Sequence, residues 1–129
     1  MELNDRIRQV LNQHGGIRLA ILFGSLAGRQ ATPLSDLDLA VLMETSLSPK
    51  TRMSLVDALS QALGRPVDLI DLRRAGEPLL GQILRHGVRL MGQDADYAEL
   101  LKRHVFEEAD FMPYRRRILA ERRQAWIGK

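Results

Sequence analysis

The chain has 129 residues, no cysteine and a net charge of +3. That length fits one compact domain able to bury roughly two-thirds of its unfolded surface without staples. Zero cysteine excludes disulfides, thiolate zinc sites and cysteine nucleophiles together, and fits a reducing cytosol. No apolar stretch approaches the length of a membrane span. The start, Met1 to Arg6, lacks the basic head and apolar core of a signal peptide, so a cytoplasmic protein is expected. The charge is uneven. Residues 114–129 hold six cations against Glu121, a net of +5, so the rest of the chain sums to −2.

In chain order, Leu3, Ile7, Val10 and Leu11 recur at helical spacing, and Gly15-Gly16 ends that helix. Ile17–Phe23 reads as a buried strand. Residues 24–35 carry two Gly and a Pro and read as a loop with one helical turn. Asp36–Met43 is the second strand. Ser48-Pro49 is a cap and first-turn pair for a helix with Leu55, Val56, Leu59 and Leu63 as its stripe, ended by Gly64. Val67–Leu72 is a third strand, Glu77–Arg85 a helix, and Val88–Met91 a short strand. From about residue 93 a helical pattern runs to 129, with Tyr97, Leu100, Leu101, His104, Val105 and Met112 on one face and a break at Pro113. The expectation is one α/β (α+β) domain over residues 1–129: a small mixed sheet with flanking helices and a long C-terminal helical segment.

Chemistry concentrates at one spacing. Ten residues separate Gly24-Ser25, closing the first strand, from Asp36-Leu37-Asp38, opening the second. At background usage this arises by chance in about one chain in a thousand of this length. Asp36 and Asp38 are two apart on a strand and share a face, while Leu37, Leu39 and Val41 turn to the other. Paired carboxylates repel unless a cation sits with them, and hard oxygen donors with open positions suit Mg²⁺ beside phosphates. A third carboxylate would complete a two-metal site. Asp68 and Asp71 both qualify but point to opposite faces. Asp68 is preferred because it lies deeper in its strand, whereas turn capping or pairing with Arg73 or Arg74 accounts for Asp71. Glycine at 24 permits close backbone approach to a phosphate, and Ser25 can donate to one. Arg29 reads equally as a contact to a triphosphate and as an ordinary exposed loop arginine. His14, His86 and His104 have no partners at metal-ligand spacing and read as structural.

Phe23-Gly24-Ser25, ten residues, then Asp36-Leu37-Asp38-Leu39 resembles the signature of the DNA-polymerase-β-like nucleotidyltransferases, and of the minimal nucleotidyltransferases among them. Val67-Asp68-Leu69-Ile70-Asp71-Leu72 is similar to their third-acid strand. The length and residues 107–114 most resemble the MntA-type antitoxins that pair with HEPN-domain ribonuclease toxins. The resemblance implies a polymerase-β-like palm fold and transfer of AMP from ATP to a tyrosine of the partner toxin. It implies catalytic and metal-binding roles for Asp36, Asp38 and Asp68 around two Mg²⁺ ions, with Gly24 and Ser25 holding the triphosphate. A hetero-oligomer with the toxin is then expected, with neither membrane nor direct nucleic-acid binding. Leu26 and Ala27 stand where many relatives carry a basic residue. Two other functions compete: an antitoxin that only binds its toxin, and a transferase acting on small molecules such as aminoglycosides.

Overall fold

The structure, a computed structural model, describes residues 2–27 and 35–109. Its elements are α1 (Leu3–His14), β1 (Ile17–Phe23), a 3₁₀ turn (Gly24–Ala27), β2 (Leu37–Met43), α2 (Pro49–Leu63), β3 (Val67–Asp71), α3 (Leu79–His86), β4 (Val88–Gly92) and a helix over residues 94–109, α4. The sheet order is β3-β2-β1-β4. β1 runs antiparallel to β2 and β4, and β2 runs parallel to β3. A parallel pair needs a crossover, which α2 supplies. Local chemistry fixes its ends. The Ser48 hydroxyl accepts from the Thr51 amide at 3.1 Å, Pro49 opens the first turn, and Gly64 closes the helix in the left-handed region at φ 65°.

Both faces of the two central strands are covered, which explains why β1 and β2 read as nearly unbroken apolar runs. On one face Ile7 and Leu11 of α1 and Leu55, Leu59 and Leu63 of α2 pack on Ala20, Leu22, Leu37, Leu39 and Val41. On the other, Leu80, Ile83 and Leu84 of α3 and Leu100 of α4 pack on Leu19, Ile21 and Ala40. A register shift between Ile17 and Leu19 resets the alternation early in β1. The expected inward face of β2 is therefore found: Leu37, Leu39 and Val41 are buried together.

The C-terminal helix departs from its predicted stripe. Leu100 is buried and Tyr97 half-buried, its hydroxyl donating to the Leu84 carbonyl at 3.0 Å. Leu101 and Val105, expected on the same face, are exposed, as is Phe106. The docked face is instead completed by long polar side chains. Arg103 donates to the carbonyls of Leu72, Arg73 and Ala75, and His104 Nδ1 lies 2.5 Å from Glu77 Oε1. Polar side chains that bond backbone can replace apolar ones at a seam, which apolar periodicity does not register. Met112, Pro113 and the basic run 114–129 lie outside the described residues.

Candidate active site

The end of β1 places the site. Phe23 pairs with Asp38 across the antiparallel ladder, and Asp38 pairs with Asp68 across the parallel one. One register row thus carries Phe23, Asp38 and Asp68. Neighbouring strands lie about 4.8 Å apart, so the two carboxylate-bearing positions are adjacent on one face. Asp36 precedes Asp38 by two residues, just before β2 begins. Farther along, the same sheet face is roofed by α3 and α4 over Leu19, Ile21 and Ala40. The acidic end is more open: Phe23 and Asp38 are half-buried, and Asp36 and Asp68 are exposed.

Gly24 follows Phe23 at φ +73°, a conformation that side chains disfavour. Space is as strict as angle. A Cβ built on Gly24 would fall 3.0 Å from Asp38 Cγ and overlap Oδ2. The backbone of the Gly24–Ala27 turn therefore lies directly against the Asp38 carboxylate, with Ser25 exposed on that turn. Leu26 and Ala27 pack against the core on the α1/α2 face, which accounts for their apolar character.

Burial, then the Asp68 and Asp36 carboxylates, push the Asp38 carboxyl above the ordinary aspartate range. Three anionic groups are thus coupled electrostatically around one partly desolvated position. Among the described residues, no three Asp, Glu or His side chains are gathered tightly enough to cage a metal ion by themselves. Mg²⁺ takes one or two protein carboxylates and fills its other positions with phosphate oxygens and water. The donor set and its mutual repulsion fit such an ion.

Depth along β3 favours Asp68 over Asp71 on sequence, and the structure reverses that premise. Asp71 is the buried one, 8% exposed, while Asp68 is exposed. What brings Asp68 to Asp38 is register, which depth along a strand does not reveal. Asp71 faces the opposite side, where its Oδ1 accepts the Arg73 amide at 3.0 Å and fixes the turn after β3. The expected turn-capping role is found, but Arg73 itself donates to the Met43 carbonyl. His104 is held between Glu77 and Glu108 in a structural setting. Arg29 lies outside the described residues.

One further feature of the site is not evident in the sequence pattern. A cavity of about 540 Å³ adjoins the Gly24 turn, lined by Phe23, Gly24, Ala27, Leu79, Gln82 and His86. Leu79, Gln82 and His86 follow i, i+3, i+7 spacing along α3, a signal present in the sequence but masked by the stronger apolar stripe of Leu80, Ile83 and Leu84.

Comparisons with known proteins agree with this geometry. Protein adenylyltransferase MntA of Shewanella oneidensis is 38% identical over 80 residues, covering 62% of this chain and 58% of that protein, so the match spans little more than half the relative's length. A chain of a toxin–antitoxin crystal structure with AMP-PNP superposes with a TM-score of 0.79 at 30% identity, over 93% of this chain and 98% of that one. A chain of the complex of tri-AMPylated Shewanella oneidensis HEPN toxin with MNT antitoxin gives a TM-score of 0.74 at 28% identity, over 92% and 93% of the two chains. The model of the "Polymerase beta, Nucleotidyltransferase" family matches residues 5–96, a span that contains Gly24, Ser25, Asp36, Asp38 and Asp68. By that match the chain belongs to the polymerase beta nucleotidyltransferase family.

Proposed function

We propose that this protein transfers AMP from ATP to a tyrosine hydroxyl of a partner HEPN-domain ribonuclease toxin and so silences it. The observation that carries the reading is the register row that sets Asp68 beside Asp38, with the backbone of Gly24 against the Asp38 carboxylate. It is supported by a relative named for protein adenylyltransfer and by likeness to antitoxin chains crystallised with toxins.

In this reading the turn amides and the Ser25 hydroxyl hold the triphosphate. Asp36, Asp38 and Asp68 would hold Mg²⁺, two ions in the full arrangement. Bound there, the metal would neutralise phosphate charge and orient the α-phosphate. Asp68 takes the proton of the attacking tyrosine hydroxyl. The new bond is tyrosine oxygen to α-phosphorus, the broken one is α-phosphorus to the bridging oxygen, and pyrophosphate leaves in line. The protein contributes positioning and charge rather than a covalent intermediate. Incubation with α-labelled ATP, Mg²⁺ and the toxin tests this. Label should pass to the toxin and be lost with Asp36→Asn/Asp38→Asn; equal labelling by the double variant would defeat the proposal.

A second reading, neutralisation by binding alone, is favoured by the exposed Leu101, Val105 and Phe106 on α4. It would gain if the double Asp variant protected cells from the toxin at normal expression. The basic segment 114–129 is assigned to partner contact, so removing residues 115–129 should weaken the complex in a pull-down.

A further inference from the structure

The cavity beside the acidic row has a lining unlike that of a phosphate site. Among the described residues no acidic, Lys or Arg side chain lines it; Phe23, Ala27 and Leu79 supply apolar wall, and Gln82 and His86 the polar side chains. Both are exposed and engage no hydrogen bond, ion pair or ring contact among the described residues. Unused polar groups on an apolar wall suit a flat, uncharged heteroaromatic ring with a hydrogen-bonding edge. A volume of about 540 Å³ is that of a small-molecule pocket. Gly24 belongs to the cavity and also abuts the Asp38 carboxylate, so the two sites share a wall. A nucleotide whose phosphates lay on the Gly24–Ser25 turn would have this cavity within reach of its base.

We infer that this cavity receives the nucleobase and that Gln82 is its specificity-determining residue, favouring adenine over guanine. The inference rests on the nucleotidyl-transfer reading. A glutamine amide offers one donor and one acceptor, matching the N7 acceptor and N6 donor of adenine. The O6 and N7 of guanine are both acceptors and call for two donors, as arginine provides. The imidazole of His86, one helical turn further along α3, offers a flat face for the ring to stack on.

Calorimetry on the full chain with AMP-PNP and GMP-PNP, each with Mg²⁺, tests it. The wild type should prefer AMP-PNP by about tenfold. Gln82→Leu should erase most of that preference, and Gln82→Arg should turn it toward GMP-PNP, a reversal that mere loosening of α3 would not produce. Unchanged ratios in both variants, with melting temperatures equal to wild type, would overturn the inference and leave the nucleotidyl-transfer reading standing. No binding of either nucleotide by the wild type would defeat both. Photolabelling of the wild type with 8-azido-ATP is independent of any variant's folding. Label mapped to the peptides holding Phe23–Ala27 or Leu79–His86, which line the cavity, supports the assignment, and label confined elsewhere overturns it.

Discussion

Two residues set the character of the acidic site. Gly24 combines φ +73° with a Cβ position already filled by the Asp38 carboxylate. Gly24→Ala should therefore cost about 2 kcal/mol in urea denaturation, more than an exposed turn substitution, and should reduce nucleotide binding as the turn backs away from Asp38. Asp38 works against folding when no cation is bound. Its carboxyl is raised in the native state, so its contribution to stability is fully present below the ordinary aspartate value of 3.8 and is lost as pH rises through the shifted value. Asp38→Asn, which removes one of three like charges, should thus raise the melting temperature of the metal-free protein at pH 7 by roughly 2 °C, with the gain vanishing near pH 3. The same variant should abolish transfer. A variant both inactive and less stable at pH 7 would mean that the carboxylate is structural.

Among the elements, α2 and α4 show what sequence carries well and badly. Helix α2 was legible end to end because its signals are local: a serine cap, a proline in the first turn, a leucine stripe and a closing glycine. Ser48→Ala should cost about 1 kcal/mol by loss of the bond to the Thr51 amide. Helix α4 was legible as a helix but not in its facing, since Arg103 docks it by bonding carbonyls of the turn after β3. Arg103→Met should lose about 2 kcal/mol in denaturant melts despite removing no apolar contact. A loss below a few tenths would show that these bonds do not hold α4 to the sheet.

At the scale of the molecule, the fold roofs one end of a sheet face and leaves the other end open, and the open end carries the acids. Spacing alone placed Asp36 and Asp38 on one face, because strand geometry has period two. The partnership with Asp68 needed the parallel register of β2 and β3, a non-local fact that α2 and the buried rows around it determine. The cavity by Gln82 needed α3 to cross the end of β1, which no periodicity foretells. The central claim is that Asp36, Asp38 and Asp68 bind a nucleotide through Mg²⁺ at the Gly24–Ser25 turn. Calorimetric titration of AMP-PNP with and without Mg²⁺ tests it most directly. Binding that requires the ion and fails in Asp36→Asn/Asp38→Asn is the predicted result; binding equally strong without magnesium, or unchanged in that variant, would contradict it.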